Sequence, residues 1–559
     1  MTNDKNHEWV DNPTEAGVAE CDPDILNDCL MYLRYNAASG NGIPPMAIKN
    51  KEIVNGGTKN ILTWQDPDDS IISGVELATW GGTLIVRKEG SYPEDYMDGT
   101  IVCNNTVRNQ YAVTGFEDEI GAPNEENPVE YFYRAFPYTV NKVYNMSSAN
   151  MFGAWLYGYC ELDNEGAPGQ RYEYLEENKN FDPCYMNLTS DLFNWGSWGN
   201  NPLVSWNNVK PCMLYNNSSG QNGQVAYYLN PNDFTKIFNS DVASDIASDI
   251  ANKTFAGNAM VQIRKVFTKI VTKNDEKGRR TYVYFSNVKL DSGFECYQCK
   301  RADGTYNEYF YVPIYNGSLI DGVLRSISGQ TVISSRTAQN EIDYARQNGP
   351  GWDTELFSAN QYLIRLFKLL FKNANSQAAL GQGKSDGGNS VATCLQTGTM
   401  NKRGMMWGSS SASVGVKFMY IENFWGSQWR RYRGHIVKNG VHYVKMTKST
   451  VDGSTAEDYN ITGDGYIKLS DIPAATGSSG GYISQSVENQ YGRFGTVISG
   501  SATTYLCDGT WFNNGIVAYP FRGGASNDGA LCGVSCFDSN NVASYAYWDV
   551  GAALSYTPL

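Results

Sequence analysis

Along most of the chain the apolar residues fall in short runs of β-branched and aromatic side chains separated by Gly, Asn, Asp and Pro. That texture predicts strands joined by tight turns. Between 46 and 148 the runs at 60–64, 82–88 and 129–136 are of this kind, and turn clusters at 66–69 and 92–95 bound them. Short strands with turn signals between them make an all-β sandwich the natural expectation here. From 149 to 559 the chain is rich in Gly and Asn and reads mostly as further short strands and loops.

Three stretches carry a helical period instead. Ile25, Leu26, Cys29, Leu30 and Leu33 predict a short amphipathic helix, with Asp22 as its cap and Pro23 in the first turn, where a missing N–H costs nothing. The turn-rich run from Asn36 to Pro45 then sets 1–45 apart as an attachment segment and linker. At 239–254, Val242, Ile246 and Ile250 lie four apart. At 353–373, Asp353 stands as a cap before the stripe Leu356, Leu363, Phe367 and Leu370. The expected fold class is mixed, mainly β with some α: a β-sandwich spacer at 46–148, then a large α+β domain at 149–559, with a possible division near 395. No internal repeat is evident.

Charge narrows the function. The chain has 44 Lys+Arg against 58 Asp+Glu, a net charge of −14, and no basic block. This argues against nucleic acid or an anionic membrane as a partner held by bulk charge. The most apolar helical stretch, 362–371, is interrupted by Arg365 and Lys368 and falls far short of the roughly 20 residues that span a bilayer, so no membrane insertion is expected. The N-terminus lacks a charged region followed by an apolar one, and no secretory signal is expected. The 12 cysteines are scattered, which favours buried free thiols in a chain made in a reducing cytoplasm over a disulfide framework.

The last stretch has an unusual composition. Between the Gly523, Gly524 pair and Trp548 lie Ser526, Asn527, Asp528, Leu531, Ser535, Phe537, Asp538, Ser539, Asn540, Tyr545 and Tyr547. Tyr offers large contact area at low entropy cost, and Ser and Asn offer adaptable hydrogen bonds, as in an evolved binding surface. The alternative is a set of ordinary turns with Phe537, Tyr545 and Tyr547 alternating into a core. Recognition is preferred, because loops on a rigid scaffold tend to carry function. Trp511, Phe512, Asn513 and Asn514 form a second candidate ridge, with a packed hairpin turn as its alternative.

Two resemblances sharpen these expectations. The phrases "LTWQDPDD", "WGGTLIVRKEGSYP", "DGTIV" and "YFYRAFPYT" resemble the fibronectin type III-like modules of bacteriophage tail and fibre proteins. Further on, "MVQIRKVFTKI", "LDSGFECY", "YVPIYNGSLIDGVLRSISG", "RTAQNEIDYARQNGPGWDTELFS" and "LFKLLFKNANSQAALGQG" resemble a recurrent phage structural domain. "IENFWGSQWRRYRGHIVKNGVHYVK" and the segment from Phe521 to the end are similar to the C-type lectin-like fold of the formylglycine-generating-enzyme kind, which retroelement-diversified variable proteins use. In those proteins the variable positions lie between an "RGG" turn, here Arg522, Gly523 and Gly524, and a final strand, here Trp548, Gly551, Leu554 and Ser555. With the second ridge included, the candidate receptor-binding residues are Trp511, Phe512, Asn513, Ser526, Asn527, Asp528, Leu531, Ser535, Phe537, Ser539, Tyr545 and Tyr547.

Other chemistry is thinner. Trp425 and Trp429 with Arg430, Arg431 and Arg433 have the makings of an anionic-glycan site; the resemblance instead implies buried core tryptophans, with the arginines as a departure expected at the surface. Cys532 and Cys536 fall where formylglycine-generating enzymes keep redox cysteines, yet their C-x₃-C spacing departs from that pattern and no neighbouring cation lowers a thiol pKa. His7, His435 and His442 form no ligand pair at helical spacing, Cys296 and Cys299 lack a second half, and Gly463 to Gly465 has too few carboxylates around it for a calcium loop. No catalytic residue, metal or cofactor is assigned. A glycosidase carboxylate pair, which only spatial separation reveals, keeps glycan depolymerisation as a lesser alternative.

The expectation is a non-enzymatic phage tail-fibre or virion appendage adhesin. It would bind a bacterial surface glycan or protein through its C-terminal loops and other tail proteins through its N-terminal segment, with a homo-oligomer, a trimer by resemblance, multiplying weak contacts. A structural virion component, a head fibre or tail decoration without a receptor, is the alternative.

Overall fold

The computed structural model describes residues 42–558 apart from 56, 73–74, 91, 122–130, 240–244, 277 and 448–459. The expected helix at 25–33 lies outside the described residues. The described residues form two compact units that divide between Ala154 and Trp155, and are mainly β with a few helices.

The first unit is a small antiparallel sandwich. One sheet runs Lys49–Asn55, Lys59–Gln65, Phe116–Glu119 and the other Thr100–Asn105, Trp80–Glu89, Tyr131–Thr139. Strand Lys59–Gln65 alternates half-buried and buried positions, which sends Leu62 and Trp64 into the core with Ile85, Tyr133, Ala135 and Phe152. The turn after Trp64 is held from inside. Buried Asp66 accepts hydrogen bonds from the Trp64 indole at 2.9 Å, the Thr83 hydroxyl at 2.6 Å, the Asn105 amide at 2.8 Å and the Asn109 backbone at 2.7 Å. A buried carboxylate survives only when so satisfied.

The second unit is built on two large sheets. The first is seven-stranded, in the order Asp233–Ile237, Val225–Asn230, Val209–Tyr215, Gly257–Arg264, Tyr309–Pro313, Leu554–Tyr556, Trp352–Thr354. Its penultimate strand is almost the last segment of the chain, pairing Tyr556 with both Tyr311 and Trp352. The second, eight-stranded, contains Gly480–Glu488, Gly509–Phe512, Phe537–Ser539, Phe521–Arg522 and Trp429–Arg431 in that order. One hydrophobic core runs from Tyr157 to Val534, so residues on both sides of 395 share it.

Helix α1, Ala338–Arg346, is capped by Thr337, whose side chain accepts from the Asn340 amide. Helix α2, Phe357–Phe371, occupies the stretch expected from its apolar stripe, but all fifteen of its residues are buried. Asp353 does not cap it: that residue lies in strand Trp352–Thr354 and pairs with Arg433. The first turn is tied down by tertiary contact instead, the Phe357 amide donating to the Arg433 carbonyl at 2.8 Å. Arg365 and Lys368, apparent interruptions in the sequence, face a buried ionic network. Arg365 donates to Glu488 at 2.7 Å, and Arg493 bridges Glu488 and Glu161. Lys368 sits among these groups with its pKa pushed down to about 7 by burial.

The expected helix at 239–254 is absent from its described residues, 239 and 245–254, and Val242 lies outside them. Ile246 is exposed while Ile250 is buried, so the four-residue spacing marks no common face. Polar side chains win the backbone there: Ser248 donates to the Phe234 carbonyl at 2.5 Å, and the Tyr227 hydroxyl bonds the Asp249 amide at 2.7 Å. These tertiary hydrogen bonds, with the Ser248 amide donating to the Thr235 carbonyl at 2.9 Å, satisfy the backbone outside a helix.

Candidate functional site

The C-terminal surface rests on a charged interior. Trp425 and Trp429 are buried, as the resemblance implied, but so are Arg430, Arg431 and Arg433, each no more than 2% exposed. The expectation of exposed arginines is therefore corrected. Each meets a carboxylate from the 341–355 region: Arg431 donates to Glu341 at 2.7 Å, Arg433 to Asp353, and Arg430 lies 3.8 Å from Glu355. Arg522 pairs across the strands with Arg430 and shares both Glu355 and the Phe424 carbonyl with it. Paired, hydrogen-bonded charges can be buried; they are then unavailable to an external glycan.

These groups fasten the loop 540–549. The Tyr519 amide donates to the Asn541 carbonyl at 2.8 Å, Ala338 to Ala543 at 2.9 Å, Ser335 to Tyr547 at 2.9 Å and Trp429 to Asp549 at 2.8 Å. The Arg431 guanidinium donates to the Tyr545 carbonyl. Every second carbonyl from 541 to 549 is thus bound from inside. The side chains of Val542, Ser544, Ala546 and Tyr547 are exposed. The backbone geometry owes little to which side chains stand at those positions.

Aromatic rings extend from this loop to the second ridge. Contacts run from Trp511 to Trp429 (5.5 Å), Trp429 to Phe521 (6.4 Å), Phe521 to Tyr545 (6.1 Å), Tyr545 to Tyr547 (5.9 Å) and Tyr547 to Trp548 (6.3 Å). Trp511 and Tyr545 are half-buried on one cluster, and Tyr547 is 49% exposed. Asn513 is exposed at the end of strand Gly509–Phe512, its side-chain oxygen accepting from the Gly515 amide at 2.9 Å.

The other expected positions divide by burial. Asn527 is exposed and donates to Asn389 at 2.9 Å. Phe512, Asp528, Leu531, Ser535 and Phe537 are half-buried. Ser526 and Ser539 are buried, and the expectation that they meet a receptor is corrected: Ser526 bonds the Thr393 hydroxyl at 2.8 Å and Ser539 donates to the Trp511 carbonyl. Phe537 packs against the rings of His435 and His442. The turn itself demands glycine, since Gly524 has φ +85° and a Cβ there would lie 2.6 Å from the Cys532 sulfur.

No family model and no curated protein matches the chain. Chemistry must therefore be judged from the groups themselves. Burial raises Asp528 to about 6 and Asp538 to about 7. Each already accepts a backbone N–H of its own loop, Ala525 at 2.6 Å and Asn540 at 2.9 Å, which makes them turn pins. Cys532 and Cys536 are buried free thiols, pushed well up by burial with Asp528 and Asp508 adding to it, the opposite of what a nucleophilic thiol needs. Among the described residues no group of three or more His, Cys, Asp or Glu is placed to hold a metal ion, and no helix is long and apolar enough to cross a membrane. An internal cavity lined by Asn360, Arg493 and Arg522 measures about 30 Å³, room for about one water.

Sequence reasoning missed Val542, Ser544 and Ala546. Small or aliphatic side chains carry no recognition signature, and their exposure follows from carbonyl partners as distant as Ser335 and Ala338.

Proposed function

We propose that this chain is a bacteriophage tail-fibre or virion appendage adhesin that binds a bacterial surface receptor through its C-terminal loops. The observation that carries this is the loop 540–549, whose alternate carbonyls are bonded to the interior while Val542, Ser544, Ala546 and Tyr547 face outward. A backbone ordered before binding spares the entropy of ordering at contact, and exposed Tyr547, Asn513 and Asn527 supply aromatic area and amide hydrogen bonds. The sandwich before it suits a spacer, in keeping with the fibronectin type III-like resemblance, and the C-type lectin-like resemblance remains part of the proposal. The reading includes attachment to other tail proteins through the N-terminal segment and a trimer presenting several weak sites at once.

The test is adsorption of purified protein to candidate host cells, comparing wild type with Asn513→Ala, Asn527→Ala and Tyr547→Ala combined. These positions are exposed, so the variant keeps the wild-type melting temperature. Loss of binding by the folded variant supports the reading. Undiminished binding moves the site away from these loops, and failure of wild type to bind any candidate favours a structural virion component.

A further inference from the structure

Two buried clusters of charge meet at the internal cavity of about 30 Å³. In the first, Arg171, Arg365 and Arg493 share Glu161 and Glu488: Arg171 donates to Glu161 at 2.7 Å, Arg365 to Glu488 at 2.7 Å, and Arg493 reaches both carboxylates. In the second, Arg430 and Arg522 share Glu355. Each cluster holds one guanidinium more than it has carboxylates, and one arginine of each, Arg493 and Arg522, lines the cavity. Among the described residues, the other carboxyls near these clusters do not make up the difference. Glu341 and Asp353 are taken by Arg431 and Arg433, Asp163 lies 2.8 Å from the Arg279 guanidinium, and burial pushes Asp508 well up and Asp538 to about 7. Buried charge without a counter-charge is costly.

We infer that this cavity binds a single monatomic anion, chloride being the abundant one. Three of the side chains that line it keep a buried N–H with no acceptor among the described residues: Asn360 Nδ2, Arg493 Nε and Arg522 Nε. All three groups donate and none can accept. The lining oxygens of Gln361 and Ser486 already accept from the Arg493 amide at 2.9 Å and from its guanidinium at 2.6 Å. A water accepts two hydrogen bonds, needs acceptors for its own two protons and brings no charge. A chloride ion accepts from all three donors and supplies negative charge between the two clusters. Asn360 and Gln361 stand in the first turn of α2, the end of a helix that favours an anion. A carboxylate, phosphate or sulfate ligand is larger than this volume admits. The site shares no residue with the exposed loop 540–549 and does not rest on the receptor reading.

The experiment is scanning calorimetry of the full chain, purified and extensively dialysed in sodium gluconate, sodium chloride or sodium bromide at one ionic strength of about 150 mM. Diffraction at the bromine absorption edge from crystals grown in bromide locates the ion. The transition of the second unit is expected about 2 °C or more higher in chloride and bromide than in gluconate. A general salt effect has the opposite order, since a weakly hydrated ion such as bromide stabilises proteins less than a strongly hydrated one. Anomalous signal is expected inside the cavity, against Asn360, Arg493 and Arg522. Asn360→Asp builds a carboxylate into the same place and should abolish the halide shift; Asn360→Leu, the second variant should the first fail to fold, should reduce it. The inference is overturned if the cavity carries no bromine signal and so holds water, if the transition is the same in all three salts, or if folded Asn360→Asp keeps the full halide shift.

Discussion

Acid should weaken the second unit through a histidine pair. His435 Nε2 lies 2.9 Å from His442 Nδ1, and the rings of Phe357, Phe494 and Phe537 surround them. One ring must donate and the other accept, and burial keeps both neutral in the fold. Burial pushes His442 from its ordinary 6.5 down to about 3, and burial, then the neighbouring imidazole, push His435 well below 6.5. The unfolded chain takes up protons near pH 6.5 that the native chain refuses. Stability is therefore full above that pH and is lost as pH falls toward the native values. Between pH 7 and pH 5 the loss is about 2 kcal/mol for His442 alone, and His435 adds to it in the same direction.

The perturbation is His442→Leu, assayed by urea titration at both pH values, with near-UV circular dichroism following the second unit. The variant pays about 1–3 kcal/mol at either pH for leaving His435 without its partner. Its further loss on acidification should be smaller than that of wild type by about 2 kcal/mol. Carboxyls raised by burial, such as Glu341 and Asp538, both to about 7, act with the opposite sign, and they cancel in the comparison. Equal losses in the two proteins, within about 0.5 kcal/mol, would refute the reasoning.

Other outcomes follow from the same contacts. Arg431→Ala strands Glu341 in the interior and should cost about 3–5 kcal/mol, whereas serine or threonine at Val542, Ser544 or Ala546 should change stability by no more than about 0.5 kcal/mol; urea titration checks both. Asp66→Ala removes the acceptor of four buried or half-buried donors and should destabilise the first unit by about 3 kcal/mol or more, seen as an earlier calorimetric transition while that of the second unit stays in place. Native protein treated with iodoacetamide at pH 8 should leave Cys532 and Cys536 unmodified by mass spectrometry and react fully in urea, since burial holds both thiols well above their ordinary pKa. Rapid native alkylation of either would contradict their placement.

What was legible in the sequence was local. The strands around Trp64, Ile85 and Tyr133 alternate or cluster as half-buried strands must, and the apolar run of α2 marks its helix. The arginines after Trp429 were misplaced because a charged side chain is assigned to the surface by default; only the meeting with Glu341, Asp353 and Glu355, some 80 to 90 residues away for the closest pairs, makes burial affordable. The helix expected at 239–254 failed for the reverse reason. Its apolar spacing marks no common face, Ile246 being exposed and Ile250 buried, and Ser248 and Asp249 find partners in Phe234 and Tyr227 that no window on the sequence contains. At the C-terminal surface Asn513, Asn527 and Tyr547 stand exposed, while Ser526 and Ser539, indistinguishable from exposed positions in sequence, differ in what lies beneath them.

The strand Leu554–Tyr556 has a consequence for timing. It lies between Tyr309–Pro313 and Trp352–Thr354, strands synthesised some two hundred residues earlier. Those strands must wait, edges unfilled, until the end of the second unit has left the ribosome. Loop closure over such a separation is slow, and an open sheet edge invites pairing with another chain. A message cut short before codon 554 therefore yields a product that cannot close its sheet and is open to aggregation and proteolysis.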